Sequence, residues 1–194
     1  FITVVKATAT QNGLYADFSP KPLESESGNG LHINMSVKCD DGTDRTPAFM
    51  AGILAHIRDI TAFLNPSEAS YSRFGKCKAP KFVTWSHENR SQLIRIPAAK
   101  GEYRRIELRS PDPSANPYLA YALLIWAGLD GIEKDMCPAP AVNLNLLVAP
   151  ESETREFDTL PGSLAEAVSL TSGSALVRRV LGEDAAAFLT DVRR

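Results

Sequence analysis

Residues 101–118 read Gly101-Glu-Tyr-Arg-Arg-Ile-Glu-Leu-Arg-Ser-Pro-Asp-Pro-Ser-Ala-Asn-Pro-Tyr118. Arg105, Glu107 and Arg109 alternate with Ile106 and Leu108. Alternate side chains of a strand share a face. Two guanidiniums therefore flank one carboxylate on one side, and two aliphatics point to the other. The pattern has two readings: an exposed, salt-bridged strand face, or one wall of a site for an anion and a metal. Arginine offers a planar fork to phosphate or carboxylate, and a glutamate held between two arginines stays ionised and suits a hard cation. The prolines of Ser110-Pro-Asp-Pro end the strand. Asn116 and Pro117 then read as the N-cap and first residue of a helix running to about Ile132. A charged strand feeding a buried helix is a rigid mount for functional side chains.

Working outward, Leu31-His-Ile-Asn-Met-Ser-Val37 alternates in the same way, after Gly28-Asn29-Gly30. Leu31, Ile33, Met35 and Val37 take one face; His32, Asn34 and Ser36 take the other. That polar face suits either plain solvent exposure or a cleft, and His32 either a ligand or a hydrogen-bonded imidazole. Further strands are expected over 14–18, 82–85 and 92–97. Pro47, with Thr46 as cap, opens a helix whose Phe49, Ile53, Ile57, Ile60 and Leu64 recur at helical spacing, a core helix. A short helix follows over 68–74. Between these elements, Arg73-Phe-Gly-Lys-Cys-Lys-Ala-Pro80 is basic and lacks an apolar period. It reads as a mobile loop, either a solvated surface or a lid over an anion. Arg73, Arg90, Arg95, Arg105 and Arg109 fall on or near extended segments, so a convergent anion site is credible.

The C-terminal third is helical. Ser163 and Glu166 form a capping box, a second helix surrounds Leu176 and Val180, and a last one is expected from Gly182. Val142–Val148 reads as extended. The predicted fold class is α+β: a curved, largely antiparallel sheet backed by the Pro47 and Asn116 helices. A core over residues 1–135 is followed by a helical extension over 136–194.

The 194 residues are 44% apolar and carry a net charge of −2. One globular domain fits. No global basic field exists to draw nucleic acid, so affinity for phosphate is local. No apolar run approaches the ~18 residues of a membrane span, and no signal peptide is visible. Cys39, Cys77 and Cys137 are odd in number and lack metal-type spacing, so free thiols in a reducing, cytoplasmic setting are expected. The first residues, 3–11, read as the end of a helix without a leading Met, which suggests a piece of a longer protein.

Taken together, Lys21-Pro22, Gly28-Asn-Gly-Leu-His-Ile-Asn-Met-Ser36, Asn65-Pro66-Ser67 with Tyr71-Ser-Arg73, Ala79-Pro80, Asn89-Arg-Ser91, Arg95-Ile-Pro97, Arg105-Ile-Glu-Leu-Arg109 and Pro111-Asp-Pro-Ser-Ala-Asn-Pro-Tyr118 resemble the catalytic domain of glutamine synthetase. The motifs cover about residues 1 to 135 and stand in the family's order. The resemblance implies an ATP-dependent ligase that phosphorylates the γ-carboxylate of glutamate and lets ammonia or an amine displace the phosphate. It implies metal positions at His32 and Glu107 for Mg2+ or Mn2+. Nucleotide positions fall at Asn34, Ser36, Arg95 and Arg105, and Arg90 steadies the transferring phosphoryl group. Glutamate positions fall at Gly28, Arg73 and Arg109. It also implies a homo-oligomer of stacked rings, with an N-terminal β-grasp domain outside this chain that supplies most metal carboxylates. The fragment alone is therefore expected to be inactive. Three positions depart from the family's pattern. Lys78 stands where the family usually has a Glu that takes a proton from ammonium, Asn34 where many members have a second His, and Ser27 where many have Asn. A non-catalytic nucleotide-binding or scaffold protein of the same family is the alternative.

Overall fold

Asn116 starts the helix that the sequence assigns to it. Its side chain accepts from Tyr118 N at 3.0 Å and Leu119 N at 3.5 Å, satisfying amides that a helix N-terminus leaves orphaned. The computed structural model describes residues 1–99 and 101–184. In chain order the elements are α1 (Ile2–Gln11), β1 (Ile33–Met35), α2 (Thr46–Leu64), α3 (Glu68–Tyr71), β2 (Trp85–His87), β3 (Ile94–Ile96), β4 (Ile106–Leu108), α4 (Pro117–Glu133), α5 (Glu151–Thr154), α6 (Leu164–Gly173) and α7 (Ala175–Leu181).

The strands form one open sheet in the order β1-β4-β3-β2. β4 pairs antiparallel with both β1 and β3, and β2 pairs parallel with β3. Ile33, Ile94, Ile106 and Leu108 turn inward and meet Ile53, Ile57 and Ile60 of α2 and Leu123 and Leu124 of α4. Burying such side chains stabilises by about 1.5–3 kcal/mol each, so this sheet–helix layer carries the fold. The α+β architecture is as expected.

α2 and α4 cross with almost nothing between them. A Cβ added at Gly52 would stand 2.2 Å from the Ala127 carbonyl oxygen, and one at Gly131 2.2 Å from that of Ala48. Gly128 leaves room for the Phe49 ring, 2.1 Å from where its Cβ would be. α2, read from the sequence as a core helix, is long and apolar enough to cross a membrane by length and composition alone. However, 67% of that stretch is buried inside the molecule, so it serves as the core helix. α6 packs against α2, and α7 against α4.

Several boundaries differ from expectation. Residues 14–18 form no strand, and Leu14 and Tyr15 are 68% and 85% exposed. Alternation alone cannot make a strand that has no neighbour to pair with. The 82–85 strand sits later, at Trp85–His87, while Phe82 makes an isolated bridge to Thr159. α2 begins at Thr46 with Arg45 as its N-cap residue. α3 stops at Tyr71, short of Phe74. Residues 142–148 contain no strand, and Val142 N donates to Trp85 O at 2.9 Å. Ser163 caps α6 through Glu166 N at 3.2 Å, but the Glu166 carboxylate takes the amide of Gly162 in place of Ser163's own. The helix expected after Gly182 falls, from residue 185 onward, outside the described residues. The three cysteines are free, Cys77 and Cys137 being exposed.

Candidate functional site

Strand register sets the site. Asn34 stands opposite Glu107, and Glu107 opposite Arg95. Directly opposed residues point to the same face, so the face away from the helices carries Asn34, Glu107 and Arg95 in one row. Arg109 follows two residues after Glu107, and His32 precedes Asn34 by two, which keeps both on that face.

Glu107 is the hub. It is 6% exposed. Its Oε1 lies 2.8 Å from His32 Nδ1 and 3.5 Å from Arg109 Nε. Its Oε2 accepts from Arg95 Nε at 2.7 Å and from the Arg95 terminal nitrogen Nη2 as well. Burial works to raise the Glu107 pKa. The Arg95 hydrogen bonds and charge, with His32 and Arg109, outweigh it and hold the carboxyl below its ordinary value. Burial also lowers the His32 pKa, with Arg109's charge adding to it against the opposing pull of Glu107. The imidazole thus tends to neutrality. A neutral ring with its proton on Nδ1, donated to Glu107, has a free Nε2 lone pair, the form that ligates metals.

Beside this hub Arg109 donates through Nη1 to the Arg90 carbonyl. Arg73 is 4% exposed. Its Nη1 donates to Ser110 O at 3.2 Å and lies 3.6 Å from Asp112 Oδ2. Asp112 is fully buried. It takes the Asn65 amide Nδ2 at 2.9 Å and Ser114 N at 2.9 Å. Burial lowers the pKa of both Arg73 and Arg109, while Asp112 and Glu107 pull the other way. The Nε of each is buried without a hydrogen-bond partner, an unspent donor.

Gly28 approaches Arg73 so closely that a Cβ there would meet the Pro20 carbonyl at 2.4 Å and Arg73 Cγ at 2.9 Å. Gly28, Gly30, His32, Arg73 and Arg109 share the wall of one cleft of about 300 Å³. The 73–80 loop forms its rim. Gly75 N donates to Ala79 O at 3.1 Å and Ala79 N to Lys76 O at 3.0 Å, closing a tight turn with Cys77 at φ 54°.

His32, Glu107, Arg95 and Arg109 are thus in direct contact, and Gly28 and Arg73 adjoin them. Asn34 and Arg105 form a second pair, Arg105 Nε donating to Asn34 Oδ1 at 3.0 Å. Two residues join less closely. Ser36 is exposed beyond the end of β1 and has no hydrogen bond to the group among the described residues. Arg90 is exposed and touches the hub through its carbonyl. The sequence reading missed the Asn65–Asp112 support beneath Arg73. Its signal lay in an Asn just after α2 and an Asp locked between two prolines.

A sequence profile described as glutamine synthetase, catalytic domain, matches residues 1–194. The chain belongs to the glutamine synthetase catalytic-domain family. A glutamine synthetase of Pyrococcus abyssi is 43% identical over 195 residues, covering 94% of this chain and 44% of that protein. A glutamine synthetase of Methanosarcina mazei is 43% identical over 199 residues, again covering 94% and 44%. The chain therefore spans less than half the length of these family members. Among solved structures, a GmaS/ADP complex superposes with a TM-score of 0.85 at 34% identity, over 99% of this chain and 48% of that one. GmaS without ligand gives 0.84 at 35% identity.

Proposed function

We propose that the protein carrying this chain is an ATP-dependent ligase that joins the γ-carboxylate of glutamate to ammonia or an amine through γ-glutamyl phosphate. The observation that carries this is the contact of His32, Arg95 and Arg109 with the single buried carboxylate of Glu107, at the edge of a cleft walled by Gly28 and Arg73. Phosphoryl transfer needs positioning and charge more than covalent chemistry, and this cluster offers both.

Arg73 and Arg109 hold the glutamate carboxylates from the wall of the cleft, and Gly28 lets Arg73 pack close enough to take that place. Arg95 and Arg105 meet the nucleotide phosphates, with Asn34 on β1 and Ser36 just past its end. Arg90, exposed and joined to Arg109 through its carbonyl, reaches the moving phosphoryl group. That a relative in this fold was solved as an ADP complex is consistent with a nucleotide here.

His32 and Glu107 fit a divalent metal as part of a ligand set: one hard carboxylate and one imidazole biased to neutrality, side by side. Among the described residues no group of three His, Cys, Asp or Glu side chains gathers to hold an ion. Further ligands come from water, as Mg2+ commonly allows, or from groups beyond the described residues. When bound, Mg2+ or Mn2+ supplies charge that draws the phosphate oxygens together and offsets their repulsion. A cytoplasmic homo-oligomer with shared sites completes this reading.

The test is phosphate release by the full-length protein given ATP, magnesium, glutamate and either ammonia or an amine. Release that depends on all of these is expected; none with any acceptor would remove the reading. Lys78 on the rim favours a second reading, a non-catalytic nucleotide-binding member of the family. ATP binding without transfer, not restored by Lys78→Glu, would select it.

A further inference from the structure

Among the described residues the cleft is lined by cations and by no carboxylate. Lys21, Arg73, Lys76, Lys78 and Arg109 border it, along with His32. The two arginines have carboxylates behind them, Asp112 and Glu107. The three lysines have no ion pair among the described residues; Lys21 donates to the Glu26 carbonyl. Lys76 and Lys78 are exposed on the turn that forms the rim, so their charge faces whatever enters. Clefts lined by one sign of charge raise the local concentration of the opposite sign and repel their own. Glutamate's two carboxylates have Arg73 and Arg109 to meet them, and the lysine charge remains over.

Resting on the ligase reading above, we propose that the acceptor is an amine that itself carries an acidic group, such as an amino acid, whose carboxylate is met by Lys76 and Lys78. Ammonium and polyamine cations are disfavoured by the same charges. In the step concerned, the neutral amine nitrogen attacks the acyl carbon of γ-glutamyl phosphate. The C–N bond forms, the C–O bond to phosphate breaks, and inorganic phosphate leaves with the electron pair. The amine proton goes to the departing phosphate or to water. ATP is the source of the phosphoryl group, so no further reactant is needed.

The experiment gives the full-length protein ATP, magnesium and glutamate with ammonium, putrescine, glycine or aspartate in turn. Phosphate release and the mass of the amide product are recorded. The expected result is kcat/KM for aspartate or glycine at least about tenfold above that for putrescine and ammonium, narrowing as ionic strength rises. In Lys76→Glu/Lys78→Glu the ratio should invert, and in the milder Lys76→Gln/Lys78→Gln it should fall toward one. Preference for ammonium or putrescine, or a ratio unmoved by both variants, overturns the inference and leaves the ligase reading intact. No phosphate release with any acceptor overturns both.

Discussion

Arg95 and Glu107 stand directly opposite each other across the β3–β4 pair, and the Arg95 guanidinium closes on Glu107 Oε2 through two of its nitrogens. A fork on a carboxylate fixes direction as well as charge. The same carboxylate has its other oxygen toward His32 and Arg109, so one side chain aligns three.

Replacing that carboxylate tests the hub. Glu107→Gln keeps the shape but leaves the buried Arg109 without its counter-charge. We expect a stability loss of about 1–3 kcal/mol and a fall in phosphate release of about 100-fold or more. Urea unfolding and a phosphate assay on the same preparation measure the two separately. Wild-type turnover in a folded Gln variant would remove Glu107 from the proposed machinery.

Gly28→Ala tests the cleft wall. A methyl group would push against the Pro20 carbonyl and Arg73. The nearest obstacle is backbone, the Pro20 carbonyl at 2.4 Å, so the effect should be a stability loss of about 1–3 kcal/mol together with a severalfold rise in the KM for glutamate as Arg73 is displaced. An unchanged glutamate KM would show that the approach of Gly28 to Arg73 does not matter for substrate.

The helix layer responds differently. At Gly52 an added methyl meets the Ala127 carbonyl and the backbone of Gly131, neither of which is a flexible end. Gly52→Ala should cost about 1–3 kcal/mol or more, read as a lowered urea midpoint with the same slope. A neutral effect would mean that the two helices can part without loss.

Acid stability should trace in part to Asp130. Burial works to raise its pKa, but hydrogen bonds from His56, at 2.8 Å, and Lys134, at 2.8 Å, outweigh it and hold the carboxyl below its ordinary value. A carboxyl whose pKa is depressed by folding contributes stability above the unfolded pKa of about 4. That contribution is lost as pH falls through the lower, folded value. Asp130→Asn should therefore be less stable than wild type at pH 7, with the gap closing below about pH 4. A gap that is constant between pH 3 and 7 would assign the loss to packing instead.

Residues 1–194 alone should release no phosphate from ATP and glutamate. His32 and Glu107 are two ligands where a hard divalent ion takes about six or more. Turnover by the isolated chain would show that the metal set is complete within it.

The strands that carry the site were legible because alternation had a partner to act on. His32, Asn34, Arg105, Glu107 and Arg109 were placed on polar faces from period-two patterning, and β1 pairs with β4 in the register that makes those faces one. The same pattern at 14–18 failed because no strand pairs with it among the described residues. Two features had no local signal. The parallel pairing of β2 with β3 depends on the route of the chain between them. The engagement of Arg95 by Glu107 depends on a register twelve residues apart. The Asn116 cap and the spacing of α2 were legible for the opposite reason, since both are written within a few neighbouring positions.

The glycine contacts at Gly52, Gly128 and Gly131 lock the scaffold where nearly any larger residue would collide, whereas Lys76, Cys77 and Lys78 occupy an exposed turn on which exchange costs the interior nothing. Substitutions that the architecture tolerates therefore fall at the rim of the cleft, where the proposed acceptor preference could be changed while the frame beneath stays put.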